Sequence, residues 1–493
     1  MSETTREARF SRERDPSATS AVATPDTKAD QGFRRSIGLR SAITINMTQM
    51  CGIGPFVTIP LMIATLGGPQ AVFGWIVGAI LALVDGLVWA ELGAAMPGAG
   101  GTYLYLREGF QYRTGRLMPF LFVWTAMFTI PLIMSTGAIG IVQYLGFLAP
   151  GMSWFEIHAL SVAVVALVVF ALYRRIESIG AITTALWSVA ALCVGVVIVA
   201  SLTHFHPSLA FTYPKDAFAF GGPFWAGLGA GLLIAIYDYL GYNTAAYLGA
   251  EVKDPGRVLP RSIVVSVVGI MLVYLVMQIG VLGAVPWQDA AKSDSVASLV
   301  LDKTWGRAAA DVVTILVCVT AFGSVFAGLL GGSRVPYNAA ADGLFFRPFA
   351  KLHPRHRVPH VALLVMGVIT AIGTFFTLST VISVLLAVFV IVQAIAQVLV
   401  LTVLRRRQPN LRRPYRQWLY PVPSLLALAG WTYVYVSAGR TPIIFSIVIL
   451  AAGIAAFLIW ARIERQWPFG EKDIREEFLE EEAARGAPRR APA

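Results

Sequence analysis

The chain has 493 residues, of which 56% are hydrophobic and 14% charged, with a mean hydropathy of +0.67. So little polar surface cannot solvate a soluble globule, which makes the bilayer the solvent of most of the chain. The net charge of +11 and sequence pI near 9.7 raise the question of a nucleic-acid partner, and the placement of the basic residues answers it.

From the N-terminus to about residue 33 the chain is rich in Ser, Thr, Ala and charge. It has no apolar run that could serve as a signal peptide, so residues 1–37 are expected to form a disordered cytoplasmic tail. Apolar segments then follow one another, each long enough to cross about 30 Å of hydrocarbon. The pattern predicts helices near 38–66, 70–95, 117–147, 154–174 and 177–203. A second set is predicted near 222–249, 258–285, 307–335, 359–377 and 380–405, and two further helices near 416–437 and 441–463. This divides the chain into a first five-helix repeat (38–203), a second (204–405), helices eleven and twelve (406–463) and a C-terminal tail (464–493).

Alternate connections carry the basic residues. One set holds Arg107, Arg113, Arg116, Arg174, Arg175, Lys253, Arg257, Arg261, Arg334, Arg347, Lys351, Arg355 and Arg357, then Arg405 to Arg407, Arg412, Arg413 and Arg416. The other holds only Lys215, Lys292, Lys303, Arg307 and Arg440. Positive charge is retained on the cytoplasmic side, so both termini are expected in the cytoplasm of a cell whose inner membrane the chain spans. No nucleic-acid partner is needed to explain the charge.

Two segments break the apolar pattern at matching places, first in each set of five. Cys51-Gly52-Ile53-Gly54-Pro55 puts two glycines and a proline in mid-span, where proline lacks an amide donor and clashes with the preceding turn. Pro55 instead suits the first turn of a new half-helix. Tyr237-Asp238-Tyr239-Leu240-Gly241-Tyr242-Asn243 places an acid, an amide and a glycine at similar depth. Non-helical backbone there is tolerated only inside protein or along a cavity, and paired interruptions point to a secondary transporter with inverted repeats. Taken singly, glycine and proline are simply commoner in membrane helices than in soluble ones.

Freed amides at one half-helix and freed carbonyls at the other form a receptor for a zwitterion. A carboxylate is expected on the amides of Gly52, Ile53 and Gly54, and an ammonium near the carbonyls of Ile236, Tyr237 and Asp238. Tyr237, Tyr239 and Tyr242 are candidate aromatic walls, or else packing residues. Membrane carboxylates are costly and need a reason, which marks Asp238, Asp85 and Glu91 as coupling candidates. Asp238 either pairs with a substrate amine, carries a coupling proton or accepts local backbone amides. Asp85 and Glu91 are six residues apart and do not share a helix face. Glu91, near the cytoplasmic end, suits a structural acceptor of loop amides.

No nucleotide-binding G-x-x-x-x-G-K-[ST] loop occurs, so an ion gradient or exchange is the expected drive, with a proton favoured over sodium. The six histidines and Cys51, Cys193 and Cys318 show no metal spacing, and no Gly-x-Ser-x-Gly elbow is present. Neither an enzyme nor a cofactor is expected.

In this order along the chain, several short motifs resemble those of the amino acid-polyamine-organocation superfamily, and within it the L-type amino acid transporters and their bacterial relatives. They are Gly52-Ile53-Gly54-Pro55-Phe56-Val57, Ala90-Glu91-Leu92-Gly93, Gly100-Gly101-Thr102-Tyr103, Gly241-Tyr242-Asn243, Glu251-Val252-Lys253-Asp254-Pro255, Phe322-Gly323-Ser324-Val325, Ser333-Arg334 and Ala341-Asp342-Gly343. The resemblance implies an all-α fold of twelve transmembrane helices, a five-plus-five inverted repeat with helices 1 and 6 broken, and alternating access. It also implies an α-amino carboxylate held by Cys51 to Pro55, by the helix-6 residues and by Ser324. Several proton-coupled members carry a lysine in helix 5, where this chain reads Ala185-Leu186-Trp187-Ser188-Val189. Relatives have a small or neutral residue in place of Asp238, and helix 5 is also similar to that of polyamine-uptake members. A polyamine or basic amino acid carrier is therefore the alternative, and a non-transporting solute sensor a remote one.

Overall fold

The computed structural model describes residues 35–98, 100–173, 179–215, 217–354, 358–465 and 467–469. The expected tails beyond these limits, and the basic residues Arg174, Arg175, Arg355 and Arg357, lie outside the described residues. The described chain is all-helical, because helices alone close every backbone hydrogen bond within one apolar segment. An isolated parallel β-bridge pairs Ile37 with Val252.

The first apolar segment forms α1 (Leu39–Met50) and α2 (Gly54–Leu66), inclined to each other by 55°. Next come α3 (Val72–Ala95), α4 (Thr102–Thr114), α5 (Leu117–Leu148), α6 (Trp154–Tyr173) and α7 (Ile179–Thr203). A short α8 (Pro207–Ala210) precedes α9 (Gly222–Tyr239), a single turn α10 (Thr244–Tyr247) and the long α11 (Pro255–Ala284). Two small helices, α12 (Trp287–Lys292) and α13 (Val296–Thr304), lead into α14 (Arg307–Gly332), α15 (Arg334–Ala341) and α16 (His360–Gly373). A π-helical segment, Val390–Ile395, joins α17 (Leu378–Phe389) to α18 (Ala396–Arg407), after which α19 (Val422–Ser437) and α20 (Arg440–Ile463) close the fold.

Among the described residues, seven helices are long and apolar enough to cross a bilayer, and the α1–α2 pair makes an eighth. Three shorter apolar helices, Ser188–Thr203, His360–Gly373 and Val422–Ser437, add to them. The helix expected near 222–249 stops at Tyr239, and that expected near 416–437 starts only at Val422, after Pro414 and Pro421. Helices α4, α12, α13 and α15 lie in stretches read from the sequence as connections or as part of a longer helix.

Two groups of helices meet at the site. In one, α3 packs on α9 and α11, α1 on α11, and α2 on α9; in the other, α5 packs on α14, α16 and α17, and α6 on α16. Small residues let these helices approach, as where Gly86 on α3 faces Ile263 on α11 and Gly137 on α5 faces Val325 on α14. Large apolar side chains such as Phe170, Leu192, Val368, Ile447 and Ile459 stand exposed on the outside, the pattern of a surface solvated by lipid tails.

Candidate functional site

α1 ends at Met50, with the Cys51 amide donating to the Met47 carbonyl at 2.8 Å. The next backbone bond runs from the Phe56 amide to the Ile53 carbonyl, 3.0 Å, once α2 has begun with Pro55 in its first turn. The amides of Gly52, Ile53 and Gly54 thus lie between two helices and close no bond in either, as expected of first-turn donors. On the other side of the site α9 stops at Tyr239, and Leu240 to Asn243 form a turn.

These two interruptions touch. Gly241 has φ of +117°, and a Cβ there would lie 2.7 Å from Cβ of Gln49 and 3.2 Å from its carbonyl carbon. Only glycine permits both that dihedral and that approach. Asn46 on α1 accepts the Ala245 amide through Oδ1 at 2.8 Å, so α1 supplies the acceptor that the first turn of α10 lacks. Tyr274 on α11 donates to the Met50 carbonyl at 2.6 Å, and its hydroxyl lies 3.3 Å from the Asp238 carbonyl. One buried phenol thereby faces the carbonyl ends of both α1 and α9.

Three successive residues at the end of α9 point to three different helices, as an advance of about 100° per residue requires. The Tyr237 hydroxyl lies 2.5 Å from Thr136 Oγ1 on α5. Asp238 turns to α2, where the Thr58 hydroxyl bonds its Oδ2. The Tyr239 hydroxyl donates to the Trp75 carbonyl on α3 at 3.1 Å. Asp238 is 3% exposed, its Oδ1 is buried without a hydrogen-bond partner, and that oxygen sits against Gly54, where a Cβ would overlap it. The acid therefore lies at the N-terminal end of α2, beside the free amides. Ile236 is fully buried, while Cys51 and Gly52 are half-buried. Across from Gly52 stands Ser324 of α14, its Oγ 3.0 Å from the position a Cβ would take. Asn243 caps α10 with its carbonyl, which accepts from Ala246 at 2.9 Å.

The remaining candidates are held elsewhere. The Tyr242 hydroxyl bonds Asp85 on α3, and the other Asp85 oxygen accepts the Trp431 indole of α19 at 3.0 Å. Glu91, fully buried at the end of α3, receives Arg405 through two nitrogens, lies 3.5 Å from Arg413 and accepts the Gln417 amide at 2.6 Å. Burial holds the Arg413 guanidinium below its usual range, and Glu91 draws it back up. Among the described residues no group of three or more His, Cys, Asp or Glu side chains could hold a metal.

A profile of the amino acid permease family matches residues 37–467, nearly the whole described chain and both interruptions. The chain belongs to that family. The branched-chain amino acid permease BcaP of Bacillus subtilis is 24% identical over 88% of this chain and 95% of its own length. The serine/threonine exchanger SteT of the same organism is 25% identical over 82% of this chain and 91% of its own. Asc-type amino acid transporter 1 of Mus musculus is 27% identical over 87% and 81%, respectively. These relatives are permeases, exchangers and transporters, which sets this family member among membrane carriers and not among enzymes.

Proposed function

We propose that the chain moves α-amino acids across a cell membrane by alternating access, with the substrate seated where α1, α2 and α9 meet. The unpaired amides of Gly52, Ile53 and Gly54 carry this reading. They lie together at the start of a 13-residue helix, the kind of place that seats a carboxylate. The substrate ammonium would lie toward the α9 end, near the carbonyls of Ile236, Tyr237 and Asp238, with Ser324 opposite. Tyr237, Tyr239 and Tyr242 have their hydroxyls committed to other helices and serve as walls and supports.

In this reading twelve helices cross the membrane, as a repeat of five (38–203), an inverted repeat of five (204–405) and two more (406–463), with both termini in the cytoplasm. The α1–α2 bend and the turn after α9 are then broken spans at equivalent positions of the two repeats. Transport is driven by an ion gradient, with a proton as the coupling ion and Asp238 as its membrane-embedded acid. Asp85 and Glu91 fill structural places, since every oxygen of both is engaged by neighbouring side chains or amides. An uncompensated acid at the site also suits a cationic solute, so polyamines and basic amino acids belong in the same assay.

The test is uptake by purified protein in liposomes, with labelled serine, threonine, leucine, isoleucine, valine, lysine and putrescine. Accumulation of one or more neutral amino acids is the expected result. Uptake confined to putrescine and lysine would replace the substrate class, and uptake of none would overturn the transport reading.

A further inference from the structure

Asp238 presents two oxygens with different surroundings. Oδ2 is held by Thr58, whose single hydroxyl proton also has the Gly54 carbonyl within reach at 2.9 Å. With Asp238 ionised, Thr58 gives that proton to the carboxylate. With Asp238 protonated on Oδ2, the acid donates to Thr58 Oγ1, and Thr58 swings its proton to the Gly54 carbonyl. Both protonation states are hydrogen-bonded with no heavy atom displaced. Such a pair suits an acid that changes charge during a working cycle.

Oδ1 is buried, has no partner and abuts Gly54 beside the amides assigned above to the substrate carboxylate. Ionisable groups that feel the Asp238 charge include Cys51 between α1 and α2, Tyr237 and Tyr239 on α9, and Tyr274 on α11. None is a cation. Polar but non-titrating neighbours come from α2 (Thr58) and, across Gly52, from α14 (Ser324). On α7, Leu186 fills the space against Gly323, next to Ser324, with hydrocarbon. Among the described residues no basic side chain pairs with Asp238, so its charge is left to the helix N-terminus and to what enters the site.

We infer that Asp238 and the substrate carboxylate compete for the same helix N-terminus, so that each amino acid binds together with one proton taken up by Asp238. The inference rests on the transport reading above. Two carboxylates sharing one site cannot both stay ionised, and one proton held between them removes the conflict. The proton comes from the aqueous phase that supplies the substrate and forms an O–H bond on Asp238. It leaves to the opposite phase once the substrate has gone and Asp238 is again an anion beside the amides. Thr58 is the positioning residue, because its hydroxyl favours the ionised acid.

The experiment uses the full chain in liposomes, with the amino acid probes named above and a pH dye inside the vesicles. Proton entry at about one per amino acid is expected, together with an affinity that improves about tenfold for each unit of pH lowered above the Asp238 midpoint. Asp238→Asn is expected to abolish both the proton entry and the pH dependence of binding. Thr58→Val removes a donor to the ionised form and should move the midpoint to higher pH, and Thr58→Ser should return it. Amino acid uptake by the wild type with no proton movement and a flat pH profile would overturn the inference and leave the transport reading standing. Putrescine bound more tightly than any amino acid, and lost in Asp238→Asn, would also overturn it, since Asp238 would then be the partner of an amine. Failure of every probe to bind would overturn both.

Discussion

Gly54 shows how narrowly one side chain can be constrained. Its Cα lies beside a buried carboxylate whose other oxygen is held by Thr58, and an added methyl would crowd both Oδ1 and Cγ. Overpacking of this kind costs about 1–3 kcal/mol. Gly54→Ala is expected to cut amino acid uptake by about tenfold or more while leaving detergent-extracted protein folded by gel filtration, because the strain falls at the substrate seat. Wild-type uptake in that variant would show that the α2 N-terminus is not the seat. Tyr274 carries a different load, since it faces the Met50 and Asp238 carbonyls together. Tyr274→Phe would leave those buried acceptors short of a donor, at about 1–3 kcal/mol, and a thermal unfolding midpoint lowered by several degrees is the expected reading.

At the scale of elements, the end of α3 is locked by charge. Glu91 is fully buried, and its partners Arg405 and Arg413 come from the end of α18 and the connection beyond it. Removing one member of a buried ion pair leaves the others uncompensated and costs about 3–5 kcal/mol. Arg405 reaches the surface at 21% exposure, so the lower end of that range is expected for Glu91→Gln, measured as a fall in thermal stability. A stable variant with altered proton coupling would instead make Glu91 part of the transport cycle. The interruption at Cys51–Ile53 was legible in the sequence because glycine and proline act through local backbone sterics. At the end of α9 the turn begins only at Leu240, so Tyr237, Asp238 and Tyr239, read from the sequence as part of the break, are still helical. The supports of these interruptions were not legible. Asn46, Thr58 and Tyr274 look like ordinary members of apolar helices, and only packing shows that they hold Ala245, Asp238 and Met50. The π-helical segment 390–395 was equally hidden, since Val-Ile-Val-Gln-Ala-Ile has nothing in its local pattern to distinguish it from α-helix.

For the whole molecule, the alternation of basic connections makes a statement about topology that the helices alone do not. If each apolar segment read from the sequence crosses once and positive charge stays inside, the α5–α6 connection faces outward and the α18–α19 connection, with Arg406, Arg412 and Arg416, faces the cytoplasm. Ala149 and Asn410 are exposed in these two connections, and neither side chain has a hydrogen bond to lose. A cysteine at each position would therefore report sidedness without disturbing the fold. In intact cells, Ala149→Cys should react with a membrane-impermeant maleimide and Asn410→Cys should not, whereas after permeabilisation both should. The native Cys193 is buried and Cys51 and Cys318 lie within apolar segments, so the unmodified chain supplies the background. Equal labelling of both positions in intact cells would put an even number of crossings between them. That result would remove the inverted orientation of the second repeat, and with it the argument that the two interruptions are equivalent halves of one substrate seat. The same chain would still present Asp238 to the start of α2, but as a local contact and not as the pivot of two opposed repeats.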